Sequence, residues 1–187
     1  MLLVWALPVG VVAGYLGGGR LHRLGLMSLR WGGLLWGALL IQVLVFPFGS
    51  RPPLLPVATE ALHLFSYALL LAFVLGNIRY SPLGLVAVGL GANLLVIALN
   101  GGRMPACPEA LRRAGLDEVA SALVSQGQAG NLVLLTQQTR LGFLGDILAL
   151  PAWFPLAAAF SVGDVMLGLG VAVAIAVGMR GPRPRRT

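Results

Sequence analysis

Among the residues able to do chemistry, one stands in an unusual place. Asp164 lies within an apolar stretch that runs from about Pro155 to Met179. An ionised carboxylate facing hydrocarbon costs about 2.5–3.5 kcal/mol by insertion scales. Its side chain is therefore expected to face neighbouring helices, with a partner or water. Two roles are open to it: a functional carboxylate, or a structural hydrogen bond tying the last helix to the bundle. At 1.5 Å per residue it lies about 24 Å from Arg180, near the opposite end of that helix.

Other polar groups are expected at the same level. Glu60 and His63 share one helix face at i and i+3. Asn100 and Arg103 follow an apolar run in Asn100-Gly101-Gly102-Arg103. Gly101 and Gly102 form either a tight exit turn or a cradle whose amides approach an anion. Arg140 and Asp146 flank the apolar run Leu141–Gly145, close enough for an interfacial ion pair of small value. His63 has no HExxH or carboxylate cluster around it, so neither metal nor cofactor is expected. Phosphate-loop, dinucleotide and nucleophile-elbow patterns are absent. Cys107 is the only cysteine, which excludes an intrachain disulfide.

The elements that must position these residues follow from composition. The 187 residues are 58% hydrophobic and 10% charged, against about 25% charged in soluble domains. Mean hydropathy is +0.89. There is too little polar surface to coat a globule in water. Five apolar stretches have roughly the length a spanning helix needs: Leu2–Gly18, Trp31–Phe48, about Thr59–Asn77, Pro82–Leu99 and about Pro155–Met179. The expected architecture is an all-α integral membrane bundle of about five transmembrane helices. It forms one domain over residues 1–179, with a basic tail at 180–187.

All 13 basic residues are arginine, and the net charge is +7. No basic stripe is interleaved with aromatics, so nucleic acid is not an expected partner. Arg20, Arg23, Arg30, Arg79 and the tail arginines fall on one side of a five-span topology. The positive-inside rule makes that side cytoplasmic, in a bacterial-type inner membrane, with the N-terminus outside. The 49–58 loop and the 100–154 segment then face outward. Pro108–Val124 reads as one amphipathic helix on the outer interface, with Leu111, Leu116, Val119, Ala120 and Leu123 as its apolar stripe. Asn131–Leu135 and Leu141–Leu150 are too short to span and read as a re-entrant or interfacial pair. Gly14 and Gly18 have the spacing of close helix packing.

Two resemblances attach to these motifs. Asn100–Pro105, Thr139-Arg140-Leu141 through Gly145-Asp146, and Phe160-Ser161-Val162-Gly163-Asp164 resemble the recurring features of an uncharacterised bacterial membrane family, domain of unknown function 5317. That resemblance implies a membrane location and no known activity. Residues 139–170 also resemble the C-terminal part of lipoprotein signal peptidase, a membrane aspartyl protease. There Asp164 would fall on one catalytic aspartate and Ser161 on the family's Asn. Thr139 stands where the second catalytic aspartate would precede Arg140, so Asp146 is the nearest substitute.

Three functions are compatible with these residues. The first is a binding or accessory subunit for membrane lipids, other membrane subunits or a lipid-linked substrate. It would use an outward pocket of Asp164, Asp146, Asn100, Gly101, Gly102, Arg103, Arg140, Ser161, Glu60 and His63. The second is an aspartyl hydrolase with Asp164 and Asp146 as the catalytic pair, which requires two carboxylates that share a proton. The third is a small ion or solute transporter, disfavoured by helix halves that are nearly free of polar groups.

Overall fold

A computed structural model describes residues 2–46 and 57–181. The loop expected at 49–58, apart from its last two residues, falls outside the described residues, with Arg51 and residues 182–187 of the basic tail.

Five long helices dominate: α1 (Leu2–Leu16), α2 (Gly32–Val45), α3 (Thr59–Gly76), α4 (Leu83–Leu99) and, last in the chain, α7 (Val162–Arg180). By length and composition α3 and α7 are apolar enough to cross a membrane, while α1, α2 and α4 are apolar but shorter. The helices pack side by side in the order α2, α3, α4, α7, α1. Small residues set the closest approaches. Gly10 and Gly14 of α1 meet Ala172, Ile175 and Met179 of α7. Gly89 of α4 lies against Gly163 and Leu167, and Gly170 of α7 against Val86. Gly18, the other half of the expected small-residue pair, makes no close helix contact: a Cβ added there would meet nothing within 4 Å among the described residues, and it has φ +75° beyond the end of α1.

The helix ends are sorted as the alternation of five segments requires. At one end, the Arg20 amide donates to Met179 O at 2.8 Å, and Arg23 donates to Arg180 O. At that same end Asn77, buried after α3, clasps the Arg30 backbone through bonds of 2.7 and 2.9 Å. Trp5 near the start of α1 reaches the opposite end, where its indole N–H donates to Pro155 O at 3.1 Å.

Residues 100–160 form a cap over that second end, and here the fold departs from an all-α reading. The cap contains β1 (Met104–Ala106), α5 (Pro108–Arg113), α6 (Asp117–Gln126), β2 (Gln128–Ala129), β3 (Leu132–Leu134), β4 (Leu148–Ala149) and β5 (Ala159–Phe160). β1 pairs parallel with β3, β2 pairs antiparallel with β3, and β4 pairs antiparallel with β5. The expected helix Pro108–Val124 is two helices, because Gly115 adopts φ +72° and ends the first. Its stripe does not face a membrane interface. Leu111, Ala120 and Leu123 are buried with Ala106, and Leu116 and Val119 pack on them, as the core of the cap. The segments read as a re-entrant or interfacial pair form β3, a 3₁₀ turn at Gly142–Leu144, and β4. Each is too short to leave a periodic signature.

Helix α7 starts at Val162, seven residues later than the apolar stretch suggests. Ser161 and Asp164 fix that start with a reciprocal capping box. Asp164 is thus an end-of-helix residue, at the cap.

Candidate functional site

The cap meets the bundle around Asp164. Its Oδ2 accepts the Ser161 amide at 3.1 Å, and its own amide donates to Ser161 Oγ at 3.0 Å. Its Oδ1 accepts Asn93 Nδ2 at 2.8 Å, and Ser161 Oγ donates to Asn93 Oδ1 at 2.9 Å. Asn93 and Ser161 are almost fully buried. The Tyr67 hydroxyl of α3 lies beside the Asn93 amide. One polar knot therefore joins α3, α4 and α7. Both carboxyl oxygens of Asp164 have a protein partner, as the structural one of the two roles open to it requires.

Asp146 is held differently. Its backbone is pinned to β1, with its amide donating to Pro105 O at 2.8 Å and its carbonyl accepting the Cys107 amide at 3.0 Å. The approach requires the preceding residue to be Gly145, since a Cβ there would lie 2.5 Å from Pro105 O. The side chain is not matched in this way. Asp146 Oδ1 is buried and has no hydrogen-bond partner among the described residues. Native structures rarely leave such an atom unpaired. Burial, helped by the nearby Asp164 charge, raises the Asp146 carboxyl from its ordinary 3.8 to about 7.

Several expected members of the site are committed elsewhere. Arg140 makes no ion pair with Asp146; ion pairs among the described residues are Glu60–Arg103 and Glu109–Arg112. The Arg140 side chain is exposed, because Asn100 holds that residue by its backbone instead: Asn100 Nδ2 donates to Arg140 O at 2.8 Å and the Arg140 amide donates to Asn100 Oδ1 at 3.1 Å. The Gly101-Gly102 run is the exit turn and not an anion cradle. Both glycines have positive φ, and the Gly102 amide is spent on Ile97 O at 2.9 Å. Arg103 pairs with Glu60 at 2.6 Å and also donates to Gly130 O. His63 is buried against Gly102 O, 2.9 Å from its Nδ1. Glu60, His63, Gly102 and Arg103 thus form a second cluster that latches α3 to the cap.

The Asn100 bonds give a direct prediction. Asn100→Ala removes its bonds to Arg140 and to Val96 O, which costs about 1–3 kcal/mol. Trypsin is expected to cut after Arg140 faster in this variant than in the wild type. An unchanged cleavage rate would show that the turn does not rely on Asn100.

A family model matches residues 26–176, most of the chain, from the end of the first inter-helix connection to the last turns of α7. The chain belongs to DUF5317, a family of unknown function. No curated protein and no solved structure matches it, and the likeness to lipoprotein signal peptidase finds no support there. The three motifs first linked to DUF5317 converge in space. The Asn100 run holds Arg140, the Pro105 carbonyl holds Asp146, and Asp146 lies within electrostatic reach of Asp164. Asn93 and Tyr67 are members of the site that motif reading missed. Asn93 had a signal: an amide in the middle of a 17-residue apolar helix needs a partner as much as a carboxylate does.

Proposed function

We propose that the chain is a five-span inner-membrane protein with its N-terminus and cap outside. In this reading it serves as a binding or accessory subunit for a lipid-linked or membrane-embedded partner, received at Asp146. A broad apolar exterior supports the membrane setting: Leu7, Val12, Trp36, Leu40, Phe65, Val88, Leu95, Leu169 and Val173 are all exposed on the five long helices. Aromatic residues gather at both ends, with Trp5, Trp153 and Phe154 beside the cap and Trp31 and Tyr80 beside Arg30 and Arg79. The single observation that carries the functional reading is the unpartnered Asp146 Oδ1, next to a carboxylate whose own bonds are complete. An acceptor left open in an otherwise paired network suits a donor brought by a partner.

The coupling of Asp146 to Asp164 favours one second reading, an aspartyl hydrolase. A carboxyl raised to about 7, beside a second carboxyl that accepts two N–H donors, is a pairing that acid–base catalysis can use. It would require Asp164 to release one of its protein bonds on substrate binding, so it ranks second.

Native mass spectrometry of the chain extracted in mild detergent tests the binding reading. The wild type and Arg140→Ala are expected to retain a bound lipid or subunit that Asp146→Asn loses. The same bound species in all three, or none in the wild type, would overturn it. Loss of a peptide- or ester-cleaving activity in both Asp146→Asn and Asp164→Asn would instead establish the hydrolase.

A further inference from the structure

A second site lies on the side of the bundle. Between α2 and α3, just below the cap, a groove of about 230 Å³ is lined by Leu39, Gln42, Val43, Phe46, His63, Tyr67 and Asn131. We infer that this groove holds the uncharged, hydroxyl-bearing head of a membrane amphiphile of the diacylglycerol class, independently of the role of Asp146.

The argument starts from His63. Gly102 O can only accept, so His63 Nδ1 carries the proton and donates. In the neutral ring Nε2 is then an acceptor, and it has no partner among the described residues. Phe46 and Tyr67 meet the ring edge-on, with centroids 4.8 and 5.3 Å away, which fixes its orientation. Gln42 repeats the pattern. Its Nε2 donates to Ser66 Oγ at 3.3 Å, which leaves its Oε1 as an acceptor. Two acceptors require a ligand that donates.

Charge narrows the class. Among the described residues no Arg, Asp or Glu lines the groove, and nearby Glu60 and Arg103 are already paired with each other. A phosphate or an ammonium buried there would have no counter-charge. A neutral diol or alcohol head has no such cost. Size places the rest of the molecule. Sites that enclose a drug-sized ligand run from about 300 to 1,000 Å³, so 230 Å³ takes a head and not two acyl chains. Leu39 and Val43 are exposed at the rim and offer the chains an apolar track along α2.

The test uses the full chain in nanodiscs with a fluorescent diacylglycerol, and phosphatidic acid of the same acyl chains as competitor. Wild type and the distant surface variant Arg112→Ala are expected to bind the diacylglycerol equally. Gln42→Leu, which removes one of the two acceptors, is expected to bind about tenfold more weakly. Val43→Trp, which fills the rim, is expected to weaken binding at least as much without removing any polar group. Phosphatidic acid is expected to compete at least tenfold less well than unlabelled diacylglycerol. Equal competition by phosphatidic acid would overturn the neutral-head assignment. Undiminished binding by Val43→Trp, or no binding by the wild type, would overturn the site.

Discussion

Gly163→Val is expected to lower the thermal unfolding midpoint of the detergent-solubilised chain by roughly 10 °C. The glycine lies where α7 crosses α4, and a Cβ built on it would overlap Asn93 Oδ1 and approach Gly89 O within 3.0 Å. Two costs combine. Forcing side-chain volume into a closely packed contact costs about 1–3 kcal/mol. Displacing Asn93 strips Asp164 Oδ1 and the Ser161 hydroxyl of their partners, which adds about 1–3 kcal/mol for groups left buried and unpaired. In a chain of this size each kcal/mol moves the midpoint by about 2–4 °C. Gly84→Ala in α4 is the control, since nothing lies within 4 Å of the added carbon. It is expected to leave the midpoint unchanged or to raise it, because alanine is the better helix former. Equal midpoints for Gly163→Val and wild type would mean that the Asn93–Ser161–Asp164 knot does not hold the two helices together.

The second large effect is a pH dependence of unusual sign. Folding raises the Asp146 carboxyl from 3.8 to about 7, so between those values the folded chain holds a proton that the unfolded chain has lost. Stability from this group is therefore highest below about pH 4. It falls by at most about 1.4 kcal/mol per unit as pH rises towards 7, then stays level. Most paired carboxylates behave in the opposite way. Asp146→Asn removes the titration. At pH 8 the variant is expected to unfold several degrees above the wild type, and at pH 4 the two should coincide. If the gap between them does not widen from pH 4 to pH 8, Asp146 is not a buried carboxyl. The same substitution is expected to abolish retention of the bound partner, so stability and binding should move in opposite directions. Such opposition marks a group kept for function at a cost to the fold.

Much of this arrangement was legible in the residues. Five apolar stretches mark five long helices, and the arginines that flank them gather at one end, as Arg20, Arg23, Arg30, Arg79 and Arg180 do. Asp164 was recognisable because a carboxylate inside an apolar run needs a partner, and Asp146, Asn100 and Arg103 because they stand at the ends of such runs. What the sequence hid was mostly non-local. β1 and β3 are three residues each and depend on pairing with one another, so neither carries an alternation that could be read alone. The stripe of Leu111, Ala120 and Leu123 is equally suited to a membrane interface and to a small protein core. Only the strands over it, with Ala106 buried beneath, decide for the core. The Asp146 amide and carbonyl find Pro105 and Cys107, respectively, through backbone alone, which no side-chain motif announces. Arg140 shows the converse, a charged side chain that looks chemical and is retained in the turn by its main chain.

Asp117, Asp146 and Asp164 are the only aspartates in the chain, so carboxyl-labelled aspartate gives three carbon-13 resonances that can be followed through a titration in nanodiscs. One resonance is expected to titrate near pH 7 and to vanish in Asp146→Asn. If all three instead titrate in the ordinary acidic range, or the near-neutral titration survives in Asp146→Asn, then no buried acid waits at the cap and the proposed site is refuted.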